Sequence, residues 1–160
     1  MTLPRSESLI EYFDWVAEHD KKVRRIQGAF HRQLQAWHQK EIEPSTRVLE
    51  WGCGAGELLS SVSPSRGLGL DVSPLMVEKA RRIHSAMGTL EFRRADIHAD
   101  LIPERFDYLV LSYLSGYLSD IEKGFVNLHP SSHARTRLVL TSLNNFWLWP
   151  LVAAQKLGLV

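Results

Sequence analysis

The segment "VLEWGCGAGELL", residues 48–59, sets three glycines at alternate positions, Gly52, Gly54 and Gly56, between an apolar run and a pair of leucines. Glycine at this density costs conformational entropy, so the backbone here must bend sharply and lie close to something. The run before it reads as a buried strand and "GELLSSV" after it as a short helix. Strand, glycine turn, helix is the opening of an α/β unit.

The chain then repeats that alternation. "RGLGLD" reads as a second strand, "LEFRRAD" as a third, "FDYLVLS" as a fourth and "TRLVLTS" as a fifth. Between the second and third lies "SPLMVEKARRIHSAM", where Ser73 is placed as N-cap and Pro74 at the first helical position. Leu75, Met76, Lys79, Ala80 and Ile83 continue its helical period. "SDIEKGFVNLHP" reads as a helix stopped by Pro130. Strands alternating with helices predict an α/β fold with a doubly wound, mostly parallel sheet covered on both faces.

Upstream, residues 6–41 read as helical, with Val23, Ile26, Phe30, Leu34 and Trp37 on one face. Lys21, Lys22, Arg24, Arg25, Arg32 and Gln33 fall opposite, and a solvated face is favoured there over a membrane or RNA contact. Glu43-Pro44-Ser45 ends the helix. The 160 residues fit one domain: 1–43 helical, 44–142 a ligand-binding core, 143–160 a C-terminal helix.

Nineteen basic residues against eighteen acidic ones leave a net charge of +1, so nothing pulls this chain toward nucleic acid or an anionic membrane. Cys53 is the only cysteine, and the opening "MTLPRSESLIEYFDW" lacks the apolar stretch of a signal peptide. No apolar run approaches the roughly 20 residues that cross a bilayer. A cytoplasmic protein is expected. The seven histidines show no metal-ligand spacing, so no metal is expected.

In doubly wound sheets ligands bind beyond the carboxyl ends of the strands, where strand order reverses. The glycine turn falls there, though a turn that binds nothing fits the glycines alone. Acids tilt the balance: Glu50, Asp71 and Asp96 close three successive predicted strands. Asp71 lies 19 positions after Gly52, where a carboxylate can accept both hydroxyls of a ribose. Asp96 can face an adenine edge. The dinucleotide fingerprint G-x-G-x-x-G is not met, because the third glycine comes one position early and Glu57 takes its place. An acid there repels a pyrophosphate and suits a ligand with a cationic end, such as S-adenosylmethionine.

The motifs "VLEWGCGAGELL", "GLDVSPLMVEKAR", "RRAD" and "FDYLVLSYLSGYLSD" together resemble those of class I S-adenosylmethionine-dependent methyltransferases, in order and spacing over residues 8–160. The resemblance implies that Glu50, Gly52, Cys53 and Gly54 line the methionine part of the cofactor, with Glu50 helping to hold its ammonium through the loop or a water. It implies Asp71 on the ribose, Val72 packed on the adenine, Asp96 and Ile97 at its edge and face, and Ser112 and Tyr113 beside the transferable methyl. "EYFDWVAEHD" is similar to the family's N-terminal lid, in which an aromatic near Tyr12 closes over the cofactor. The acceptor implied is a small molecule.

Methyl transfer from a sulfonium is a direct displacement that mainly requires alignment and exclusion of water. No residue is singled out as general base. Tyr113 and Tyr117 are the candidate pocket residues, while His129 and His133 fall at the far edge of the sheet. Cys53 reads as a small packing residue. The family's sheet usually continues past the fifth strand with a hairpin, and this chain instead has "NNFWLWPLVAAQKLGLV". Three readings follow: a truncated chain, a self-association surface on the fifth strand and C-terminal helix, or a substrate-binding helix; Trp147 and Trp149 are also compatible with a membrane surface. Two further functions stay open, a cofactor-binding module without turnover and a nicotinamide-dependent oxidoreductase.

Overall fold

The computed structural model describes residues 6–142. Two helices, α1 (Ser6–Glu18) and α2 (Asp20–Glu41), precede the sheet. Then come β1 (Arg47–Trp51), α3 (Glu57–Ser61), β2 (Arg66–Asp71), α4 (Pro74–Ile83), β3 (Leu90–Arg94), β4 (Tyr108–Ser112), α5 (Ile121–Val126) and β5 (Arg137–Thr141). The five strands form one parallel sheet in the order β3-β2-β1-β4-β5. Order reverses beside β1, which pairs with β2 on one side and β4 on the other. The glycine turn therefore opens at the switch point.

Alternating side chains feed two cores, as a parallel sheet covered on both faces requires. Val48 of β1, Val110 of β4 and Val139 of β5 meet Leu58, Leu59 and Val62 around α3 and Val77 and Ala80 of α4. Their neighbours Leu49, Trp51, Leu109 and Leu111 meet Ile97, Phe106, Leu118 and Leu128 on the other face. Ser73 caps α4 as expected: its Oγ accepts from Met76 N at 3.0 Å, with Pro74 following. Asp120 does the same for α5, accepting from Lys123 N at 2.9 Å.

The sequence pattern misleads in four places. The predicted single helix breaks at His19, whose backbone N–H returns to Trp15 O and whose ring stacks on Trp15. In α2, Phe30 and Trp37 lie exposed although the apolar period placed them inward. The row that docks is Leu34, His38 and Ile42, at strict spacings of four. His38 is fully buried; burial pulls its pKa below the usual histidine value, and Nδ1 bonds Leu34 O at 2.8 Å. In α4 the inward row is Met76, Val77 and Ala80, leaving Ile83 exposed. Lastly, β3 ends at Arg94, two residues before Asp96. The side chains of Lys21, Lys22, Val23, Arg24, Arg25 and Ile26, and the predicted C-terminal helix with Trp147 and Trp149, lie outside the described residues.

At the amino ends of the strands, charges pair with one another. Arg66 bonds Glu91 and Glu104, Arg47 bonds Glu104, and Arg93 bonds Glu91, which holds the Glu91 carboxyl down at about 2. His133 joins Asp107 at this same end, 3.2 Å away, far from the glycine turn. On β5, Leu138 and Leu140 are exposed. Among the described residues no helix is long and apolar enough to cross a membrane.

Gly56 shows why the turn cannot carry side chains. It has φ +77°, and a Cβ on it would lie 2.5 Å from Phe92 Cε1. Left-handed strain and overpacking together predict that Gly56→Ala destabilises the protein by roughly 3 kcal/mol in urea unfolding. Gly88→Ala, where a methyl meets open space, is expected to change the urea midpoint little.

Candidate functional site

The loop after β1 is built from three left-handed glycines: Gly52 at φ +72°, Gly54 at +51° and Gly56 at +77°. Gly52 N and Cys53 N both donate to Leu70 O, at 2.7 and 3.0 Å, so the loop leans back onto β2. There it meets Asp71. One oxygen of this buried carboxylate accepts from Gly54 N at 2.8 Å and the other from Ser73 N at 2.9 Å. A carboxylate offers about four lone-pair sites, so these backbone donors do not exhaust it. Burial raises the Asp71 pKa above the usual value; the N–H groups of Ser73, Gly54 and Val72 pull it back, and the Asp14 charge pushes it up again.

Glu50 lies beneath the loop and not beside it. It is 2% exposed, and its Oε2 accepts from Leu59 N at 3.1 Å, in the first turn of α3. A carboxyl at a helix N-terminus is well placed for the orphan N–H groups there. Burial nevertheless drives its pKa well above the ordinary value, with the Leu59 N–H opposing and the Asp71 charge adding. Cys53 is buried with its Sγ over Gly69, where a Cβ would come within 2.9 Å. Burial, then the Asp71 and Glu50 charges, push the thiol well up, so it is neutral packing material, as the sequence reading held.

On the other wall, Tyr113 follows β4 in a left-handed conformation, φ +58°, with its N–H on Thr141 O at 2.9 Å. Such a conformation is uncommon for an aromatic residue and clusters at ligand sites. The turn carries Leu114 over Gly52, where a Cβ would lie 3.1 Å from its Cδ1. Ser112 Oγ bonds Thr141 Oγ1 at 3.0 Å, bracing the ends of β4 and β5. Ile97 is buried in the same core as Trp51 and Leu118. Val72 is half-buried, and its carbonyl accepts from Arg94 Nε at 3.3 Å. Asp96 does not close a strand. It folds into its own turn, its Oδ1 accepting from His98 N at 2.9 Å and lying 3.2 Å from His98 Nδ1.

Helices α1 and α2 lie over this wall through aromatic pairs. Phe13 of α1 meets the Tyr117 ring edge-on at 5.2 Å, and Phe30 of α2 meets Tyr113 at the same distance. Tyr12 is 51% exposed and touches Phe13 from outside, so the residue seated on Tyr117 is its neighbour. Burial and then Tyr12 raise the Tyr117 hydroxyl pKa. Phe30 and Leu114 are rim residues that sequence reasoning did not name as such, and Phe13 is the aromatic next to the Tyr12 it did name. Phe30 carried a signal as a member of the apolar period of α2, and Leu114 carried none. Among the described residues no group of three or more His, Cys, Asp or Glu is placed to hold a metal.

The buried acids give a pH signature. A carboxyl with a raised folded-state pKa holds its proton more tightly when folded, so its stabilising contribution is complete at low pH and is lost as pH rises through the raised value. Stability of the free protein relative to Glu50→Gln is therefore expected to fall as pH rises above the ordinary carboxyl range, measured as the difference in urea-unfolding free energy. Taking the difference cancels the opposite trend from His38.

The comparisons with known proteins agree with this layout. Among solved structures, the chain is similar to the YcgJ protein from Bacillus subtilis (TM-score 0.61, 23% identity, 68% of this chain and 49% of that one). It is similar to DhpI in its SAH complex (TM-score 0.68, 18% identity, 86% and 69%). It also resembles a SAM-dependent methyltransferase from Thiobacillus denitrificans in complex with S-adenosyl-L-homocysteine (TM-score 0.55, 25% identity, 67% and 45%). This chain thus spans about half the length of the first and third of these. No curated protein matches it. A family model described as "Methyltransferase domain" matches residues 48–130, from the first buried residue of β1 to the turn after α5, which is more than half of the chain. With the glycine turn, the buried acids and the switch point all inside that span, the chain belongs to the methyltransferase domain family.

Proposed function

We propose that the chain binds S-adenosylmethionine at the rim around Asp71 and transfers its methyl group to a small-molecule acceptor. The observation that carries this reading is Asp71, a buried carboxylate at the end of β2 fixed by Gly54 N on one oxygen and Ser73 N on the other. The residues present fit the cofactor. A methyl on Gly54 would meet nothing within 4 Å, so the loop has bare backbone facing open space at the place a ligand needs. Two acids with raised pKa values, Asp71 and Glu50, suit a ligand bringing hydroxyl donors and a cation.

The bound cofactor supplies an electrophilic methyl on a sulfonium; the chain has to hold it and line up the acceptor. Asp71 would take the ribose hydroxyls, with Val72, Asp96 and Ile97 around the adenine. Gly52, Cys53 and Gly54 would present backbone to the methionine end, and Glu50 would hold the loop from below and bias it toward a cation. Ser112 and Tyr113 would border the methyl. Tyr117, with its hydroxyl pKa raised, is a poor base near neutrality and shapes the pocket instead. The edge-on pairs Phe13–Tyr117 and Phe30–Tyr113 favour an acceptor with an apolar, planar face. A net charge of +1 favours a small molecule over nucleic acid.

Calorimetric titration is expected to detect S-adenosylhomocysteine binding and no NADH binding; the reverse result would remove this reading. Asp71→Ala removes a charged acceptor of two ligand hydroxyls and is expected to weaken that binding by about 100-fold or more. Gly54→Ala costs about 1 kcal/mol in stability and should still weaken binding, because its methyl points into the open loop. A screen of planar acceptors with methyl-labelled donor then tests turnover.

A further inference from the structure

We propose that Asp14 is a positioning residue that latches the lid helix to the ribose side of the site through Ser73. The lid contact and the ribose carboxylate are then parts of one hydrogen-bonded chain. The inference rests on the reading of Asp71 given above.

The chain of contacts is continuous. Asp71 Oδ1 accepts from Ser73 N at 2.9 Å. Ser73 is fully buried, and its hydroxyl accepts from Met76 N as the α4 cap. The one proton of that hydroxyl goes to Asp14 Oδ1, 59 positions away on α1. The same Asp14 oxygen accepts from Leu75 N at 3.4 Å. A serine hydroxyl has a single proton to give, so Asp14 fixes which way it points and leaves its lone pairs to the helix.

Electrostatics give the docking a direction. A helix N-terminus favours an anion and a C-terminus favours a cation. The ten-residue helix α4 has no acid in its first turn, and α1 has no base in its last turn. Each helix supplies what the other lacks. Asp14 of α1 brings a carboxylate to the N-terminus of α4, while Lys79 of α4 donates to Ala17 O in the last turn of α1 at 3.2 Å. A simple apolar dock would not need this exchange, and it sets α1 at one register against α4. That register is the one that brings Phe13 to Tyr117.

The test uses the full chain with Asp14→Asn, Asp14→Ala, Ser73→Ala and the double variant Asp14→Ala/Ser73→Ala. In the ligand-free protein, Asp14→Ala should speed hydrogen exchange of α1 amides about tenfold, the worth of a charge-assisted hydrogen bond, and leave β1 and β4 amides unchanged. Asp14→Asn keeps an acceptor and should fall between. Stopped-flow release of S-adenosylhomocysteine should quicken about tenfold in Asp14→Ala with association changed less than about twofold, and the two single effects should be non-additive in the double variant. Unchanged α1 exchange, or strict additivity, overturns the latch. Faster exchange with unchanged ligand release overturns the coupling and leaves Asp14 a structural contact. If the wild-type chain fails to bind S-adenosylhomocysteine, the reading of the site and the coupling fall together, and the exchange arm still decides the latch.

Discussion

The site is organised by one interaction, the Asp71 carboxylate accepting Gly54 N on one oxygen and Ser73 N on the other. It closes the gap between two loops that the sheet alone leaves independent. The glycine loop follows β1 and the α4 cap follows β2, and paired strands fix only where each loop starts. Asp71 fixes where they meet. The glycines make this possible, because a loop carrying Cβ atoms at positive φ would hold Gly54 N away from the carboxylate or strike Phe92 at Gly56.

The carboxylate is costly where it stands. Glu50 and Asp71 are both buried, both have raised pKa values, and their charges disfavour each other. The acids at the opposite end of the sheet have arginine partners at the surface, and Glu91 falls to about 2 as a result. Exposed pairs of that kind add little to stability. Two acids sunk into the carboxyl rim and held by backbone N–H groups add strain to the free protein instead. Under the proposed function, a ligand that brings hydroxyl donors and a positive charge would offset that cost.

Much of this was legible in the sequence, and the residues show where legibility stops. Ser73 and Pro74 announce the start of α4 because capping is local chemistry. The five strands show because a parallel strand is apolar on both faces. What failed was anything settled by a neighbour distant in sequence. Leu34, His38 and Ile42 dock α2, yet a period that counts only apolar side chains skips the histidine and selects Trp37. Asp96 follows β3 instead of closing it: its Oδ1 turns to His98, whose ring is in turn placed by Asp120 O, 22 positions away, at 3.1 Å. Tyr12 and Phe13 are equivalent as aromatics near the lid; only the rotation of α1 seats Phe13 on Tyr117.

That rotation follows from polar contacts. Aromatic edges tolerate sliding, since ring pairs keep most of their attraction over a range of offsets. Phe13 on Tyr117 and Phe30 on Tyr113 would therefore permit several lid positions. Hydrogen bonds to a charged group are narrow in distance and angle, and they permit one. Ser73 donating to Asp14 and Lys79 donating to Ala17 O thus choose among positions that the aromatic contacts leave open. The aromatic and the polar contacts then come from neighbouring residues of the same helix. Phe13 meets Tyr117, and Asp14, the next residue, meets the start of the helix that follows Asp71, so the polar contact sets the rotation that the aromatic one uses.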